Sequence, residues 1–168
     1  FDWSQIEPQP GQYGWQAADA AVAAAQAARL PLVAVLDGSP AWARAAPDVT
    51  PIDNPLAPPQ DPATFARFAA AFAERYAGRI HYYQVWDEPN VAPHWGARLI
   101  EPVAYAQLLQ QAAAAIRGHD PDAVIVAAAL APTTDRGHSA IDEVYFLQRL
   151  KAAGAGTALD IVALQPFG

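Results

Sequence analysis

The chain has 168 residues, enough for one ordinary domain with a sizeable core, and 53% of them are hydrophobic against 16% charged, the balance of a globular rather than a disordered chain. Its net charge of −7 argues against a nucleic-acid or anionic-membrane surface, and no apolar run reaches the ~18 residues a membrane span requires. The absence of cysteine removes disulfide frameworks and thiolate metal sites and leaves the redox compartment open. No signal peptide is visible, and a start at Phe1 rather than Met is what a processed, trimmed or excerpted chain would show.

In chain order, Phe1-Asp2-Trp3 reads as the tail of a strand, and residues 4–13 as a loop broken by Pro8, Pro10 and Gly11. Residues 15–29 are alanine-rich with no internal Gly or Pro and predict a helix. Leu32-Val33-Ala34-Val35-Leu36 is a short continuous apolar run, the pattern of a strand covered on both faces, with Asp37-Gly38-Ser39-Pro40-Ala41-Trp42 at its tip. The proline-rich stretch from Pro47 to Pro62 is too long for a routine connection and reads either as a lid or as a solvated excursion. Asp61-Pro62 then opens a helix, an N-cap acid followed by proline at the first helical position. Within it Phe65, Phe68, Phe72 and Tyr76 fall at helical spacing and predict a core-packing stripe, with Gly78 ending the helix.

From Ile80 the chain enters an apolar, aromatic strand that ends in two adjacent carboxylates, Asp87 and Glu88, before Pro89, which cannot continue a central strand. Buried charge is costly without a partner or a task, so acids confined to a strand's C-terminal tip point to a site. The loop after Asn90 holds Pro93, His94, Trp95 and Gly96. A helix is expected over residues 102–117, burying Leu109, Ala113 and Ile116 and stopped by Gly118, then a buried strand over 123–127 that runs towards Pro132-Thr133-Thr134-Asp135. Residues 140–153 predict a helix with Val144, Phe146, Leu147 and Leu150 on its apolar face, closed by Gly154, and residues 159–164 a last strand tipped by Gln165-Pro166-Phe167-Gly168.

Strand and helix thus alternate about four times, which implies parallel strands, right-handed crossovers and helices outside. An open doubly wound sheet and a (β/α)8 barrel share this pattern. The sequence has no Gly-rich turn after its first strand and no Walker sequence, and several strands end in polar or aromatic residues, as a barrel's catalytic face requires. The expected fold is a TIM barrel of the α/β class. A complete one takes ~250 residues, so residues 1–168 would be one partial-barrel domain, about strands two to six, that does not close on itself.

Tyr83-Gln84-Val85-Trp86-Asp87-Glu88-Pro89-Asn90 resembles the fourth-strand motif of the clan A retaining glycoside hydrolases, which usually reads Trp-Asn-Glu-Pro-Asn. The likeness is greatest to the β-xylosidase and α-L-iduronidase type (family 39). Phe1-Asp2-Trp3-Ser4-Gln5-Ile6-Glu7-Pro8 with Gly11 is similar to the segment after that family's second strand, and Ser39-Pro40-Ala41-Trp42-Ala43 to the segment after its third. Leu159-Asp160-Ile161-Val162-Ala163-Leu164-Gln165-Pro166-Phe167-Gly168 is similar to its sixth strand. All stand in the same order, so the resemblance spans essentially the whole chain.

The resemblance implies hydrolysis of O-glycosyl bonds in a carbohydrate substrate, with Glu88 as general acid/base. Retaining hydrolysis needs a protonated carboxylic acid for the leaving oxygen and a carboxylate nucleophile ~5–5.5 Å away. Burial or a nearby negative charge is what keeps such an acid protonated. The family's nucleophile ends the seventh strand, outside residues 1–168. Asp87 stands where the family has an amide, and Gln165 and Phe167 where it has His and Tyr. These departures make a non-catalytic carbohydrate-binding or structural barrel the alternative. Asp87, Asn90, Gln165 and Phe167 are the implied substrate-contacting residues. Trp3, Trp42 and Trp95 each come just after a predicted strand end, where rings can stack on sugar C–H faces, and His94 comes after the acid loop. Asp37 is a further substrate-binding candidate, Trp15 and Trp86 read as structural, Glu143 as a solvated outer-face charge, and Asp160 as a local structural group. His81, His119 and His138 lack metal-ligand spacing, so neither a metal nor a cofactor is expected. Secretion is expected only by analogy with the family, and the sequence sets no oligomeric state.

Overall fold

The computed structural model describes residues 1–45 and 54–165. Its elements run α1 (Trp3–Ile6), α2 (Gln16–Ala28), β1 (Val33–Leu36), a 3-10 turn (Ala41–Ala43), α3 (Pro62–Tyr76), β2 (Tyr82–Val85), β3 (His94–Ala97), α4 (Pro102–His119), β4 (Val124–Leu130), α5 (Glu143–Ala152), a second 3-10 turn (Ala155–Thr157) and β5 (Ile161–Leu164). Strands β1, β2, β4 and β5 form one parallel sheet in that order, with Val35, Gln84, Val126 and Ile161 side by side across it. A parallel bridge between Asp2 and Asp37 extends the sheet beyond β1, so the chain start does behave as the end of a further strand. Trp3 then turns at once into α1, because the Asp2 carboxylate caps it by accepting the Ser4 N–H at 2.8 Å.

Helix α3 shows how the sequence cements this arrangement. Asp61 caps it by accepting from the Ala63 N–H, Pro62 occupies its first turn, and Phe65, Phe68, Phe72 and Tyr76 are all fully buried. Phe68 stacks on Trp3 at 5.5 Å, Phe65 meets the edge of Trp86 at 5.7 Å, and Phe72 meets Tyr83 of β2 at 6.4 Å. Each such ring contributes about 1.5–3 kcal/mol by leaving water. The stripe therefore fastens α3 to the N-terminal strand end and to β2 together.

On β2, Tyr83 and Val85 face this helical layer and are fully buried. The opposite face is only partly covered: Val33 and Tyr82, paired in register, are 49% and 37% exposed, whereas Gln84 and Val126 are 6% and 5% exposed. For β1 this corrects the expectation of a strand covered on both faces, whereas β4 is buried along nearly its whole length, as expected.

Other boundaries also differ: α1 lies where a loop was expected, and β4 runs on to Leu130 instead of ending at residue 127. Strand β3 occupies what was expected to be loop. Helix α4 runs through Gly118 to His119, where Asp120, held by the Tyr83 hydroxyl at 2.9 Å, ends it. Helix α5 starts at Glu143 rather than at residue 140, because Asp142 caps it and residues 140 and 141 bridge back to Val91 and Arg136. Its apolar face is narrower than expected: Phe146 and Leu150 are buried while Val144 is 57% exposed. Residues 47–53 of the proline-rich stretch and Pro166, Phe167 and Gly168 lie outside the described residues. No helix among the described residues is long and apolar enough to cross a membrane.

Candidate active site

Parallel strands deliver their C-terminal ends to one edge of the sheet. There Asp37 comes after β1, Asp87 and Glu88 after β2, and Gln165 after β5. The exit from β2 is made by two non-glycine residues in the left-handed region, Trp86 at φ 70° and Glu88 at φ 45°. Such conformations cost on the order of 1–3 kcal/mol each and persist only where the surroundings hold them. Here the Trp86 N–H donates to the Leu36 carbonyl at 2.8 Å, and the Glu88 N–H donates to the Ala129 carbonyl at 2.9 Å. The turn sends Trp86 back into the core and brings Asp87 and Glu88 to the sheet edge.

Asp87 is set among amides. Its Oδ1 accepts from Gln84 Nε2 at 3.2 Å and from Gln165 Nε2 at 3.4 Å, while Gln84 Nε2 also donates to the Trp86 carbonyl at 3.0 Å. Burial pushes the Asp87 carboxyl above the ordinary range, opposed by His94 and by the Gln84 hydrogen bond. Asp37 is pushed up to about 6, first by burial and further by the charges of Asp2 and Asp87, against the amino group of Phe1 and His94. Glu88 Oε2 lies 3.3 Å from His94 Nε2, and its side chain is 19% exposed, open enough to meet a ligand.

Other expected contact residues are placed differently. Asn90 is fully buried. Its Nδ2 donates to the carbonyls of Ala131 at 2.8 Å and Ile141 at 3.0 Å, and its Oδ1 accepts the Ala131 N–H at 2.9 Å. Its amide is spent on the backbone of the loop after β4, a structural task beside the expected substrate contact. Trp3 is fully buried between α3 and Trp42, with its indole N–H donating to the Glu7 carboxylate at 2.6 Å. Trp95 is 3% exposed, packed edge-on against Trp86 and Tyr105. The Trp3 ring is enclosed by core, while Trp95, though nearly buried, lines a cleft with Pro58, Pro62 and Arg98. Trp42 is half-buried and keeps some exposed surface, its N–H donating to the Glu7 carbonyl at 3.1 Å. Phe167 lies outside the described residues. Trp86 is in the core as expected, and Trp15, stacked on Tyr13 at 5.1 Å, is half-buried.

Gln84 was missed by the sequence reading, although a lone amide inside the run Tyr82–Val85 was a visible signal. Glu143 is no outer-face charge. It is the first residue of α5, accepts the Thr133 N–H at 3.1 Å, and lines a small cleft with Leu130, Pro132, Leu164 and Gln165. Asp160 does serve local structure, accepting the Ile125 N–H at 2.7 Å and pairing with Arg117. Among the described residues no group of three or more His, Asp or Glu side chains could hold a metal ion.

No protein-family model and no curated protein matches the sequence. Solved structures do match over nearly the whole chain. A family 39 β-xylosidase from Caulobacter crescentus superposes with a TM-score of 0.69 at 20% identity, covering 96% of this chain and 36% of that one. A glucosidase from Croceicoccus marinus gives 0.67 at 17% identity, covering 97% and 32%. Xylanase XynB from Paenibacillus barcinonensis gives 0.62 at 16% identity, covering 99% and 50%. The chain carries part of a TIM barrel. Its fold is the segment of (β/α)8 barrel that these glycoside hydrolases share, and it spans between about a third and a half of their length.

Proposed function

We propose that this barrel segment belongs to a retaining glycoside hydrolase in which Glu88 is the general acid/base. The observation that carries the reading is the left-handed turn after β2, which holds a partly exposed carboxyl at the C-terminal edge of a parallel sheet. In TIM-barrel enzymes that edge is where chemistry takes place. Protonated Glu88 would give its proton to the glycosidic oxygen as the bond to the sugar's anomeric carbon breaks and a nucleophilic carboxylate, supplied outside residues 1–168, bonds to that carbon. Ionised Glu88 would then take a proton from the water that attacks the same carbon, releasing the nucleophile and restoring the acid.

Burial gives the Asp87 departure a physical account. A protonated carboxyl donates one hydrogen bond, as the family's amide does, whereas an ionised one only accepts. The upward push on Asp87 favours the form that can replace the amide. Asp87, Gln165 and Trp42 are the proposed sugar contacts among the described residues, with Phe167 a further one, and the substrate class is a carbohydrate O-glycoside.

A second reading, a carbohydrate-binding or structural barrel without turnover, is favoured by the commitment of Asn90, Trp3 and Trp95 to the core. Hydrolysis by the completed barrel decides between them, and Glu88→Gln tests the residue. In a polypeptide that joins this chain to the strands completing the barrel, the first reading expects hydrolysis to fall at least ~100-fold. Unchanged turnover removes Glu88 from the mechanism.

A further inference from the structure

The two ring nitrogens of His94 stand in different surroundings. Nε2 faces Glu88 Oε2 at 3.3 Å, whereas Nδ1 is buried with no hydrogen-bond partner among the described residues. A neutral imidazole has one N–H and one bare nitrogen, and an imidazolium has two N–H groups. A buried N–H without an acceptor is the rarer and costlier defect, and a bare acceptor is better tolerated. The surroundings therefore favour the hydrogen on Nε2, the nitrogen nearest the Glu88 carboxyl, with Nδ1 bare. Three acids stand near the ring: Asp37 after β1, and Asp87 and Glu88 after β2.

The donor is also fixed at its backbone. The His94 carbonyl accepts the indole N–H of Trp86 at 2.8 Å, and the neighbouring Trp95 ring packs edge-on against Trp86. The residue that begins the left-handed turn thus anchors the strand whose imidazole stands beside the carboxyl at the turn's end.

We infer that His94 is a positioning residue that occupies Oε2 of Glu88 and so directs the transferable proton to Oε1. A carboxylic acid has one proton for two oxygens. Placing it on Oε2 would set it against the Nε2–H, so it resides on Oε1, the oxygen that His94 leaves free. After transfer the same N–H stabilises the carboxylate. Transfer of this proton rests on the reading of Glu88 as general acid/base, but the contact and the tautomer do not.

The test is made on the 168-residue chain by NMR at about pH 8, above the ordinary imidazole titration range. Long-range proton–nitrogen spectra should show His94 in a single tautomer, protonated at Nε2 and bare at Nδ1. The Glu88 carboxyl carbon should shift in His94→Phe and return towards its original position in His94→Gln, which restores an N–H donor. A proton on Nδ1, tautomer averaging as in free histidine, or a Glu88 resonance unmoved by His94→Phe overturns the inference. An unaffected Glu88→Gln enzyme would instead overturn the acid/base reading, with these spectra unchanged.

Discussion

Asn90→Ala removes a fully buried amide that ties the turn after β2 to the chain beyond β4. Three hydrogen bonds go with it, two donated by Nδ2 to Ala131 and Ile141 and one accepted from the Ala131 N–H. At a net ~1 kcal/mol each, the loss is about 3 kcal/mol, and more if the freed backbone groups stay dry. This is a large fraction of the 5–15 kcal/mol, roughly, that stabilises a typical domain. Urea unfolding followed by circular dichroism reads it directly. With an m-value of about 2 kcal/mol per molar, the midpoint should fall by about 1.5 M. A fall below about 0.3 M would refute the reasoning and return Asn90 to the pool of groups free to meet a ligand.

The fully buried Tyr105 hydroxyl accepts the Ala128 N–H at 2.6 Å and donates to the Val85 carbonyl at 3.0 Å, so Tyr105→Phe should cost about 2–3 kcal/mol in the same urea assay. A cost under ~0.5 kcal/mol would contradict it. Asp37 binds its proton more tightly folded, up to about 6, than unfolded at ~3.9. Its stabilising contribution is present at low pH and is lost as pH rises from about 4 through about 6. Melting temperatures measured across that window should fall less steeply for Asp37→Asn than for the unchanged chain, and parallel curves would sink the assignment. Asp87→Asn should likewise flatten the pH dependence at its acid end, because burial raises that carboxyl too. If the protonated form of Asp87 is the working one, the same variant in the barrel-completed polypeptide should preserve hydrolysis, and its loss would show that a carboxyl is required.

The alternation of strands and helices was legible because propensity, caps and periodicity agreed locally, most clearly in Asp61-Pro62 and the four rings of α3. Strand β3 was not legible: His94-Trp95-Gly96-Ala97 lies just after Pro93 and shows no alternation. Gly118 misled because a helix end also depends on what receives it, here Asp120 under the Tyr83 hydroxyl. At the site, the position of Glu88 at a strand tip could be read from the run of apolar residues ending in acids. The directions of the tryptophans could not. Trp3 turns inward because Glu7, buried beside it, accepts its indole N–H with one carboxylate oxygen and the Gly11 N–H with the other. Asn90 lies two residues from Glu88 yet serves the backbone, a distinction set by the loop after β4 and invisible to spacing along β2.

The central claim is that Glu88 delivers a proton to a departing oxygen, and its signature is dependence on the leaving group. The barrel-completed polypeptide and its Glu88→Ala variant should be compared by kcat/KM on glycosides of one sugar, with an alkyl or a dinitrophenyl leaving group. The account predicts a loss of at least ~100-fold on the alkyl glycoside, which needs the proton, and a loss within about tenfold on the dinitrophenyl glycoside, which leaves without one. Equal losses on both substrates, or none on either, would contradict it.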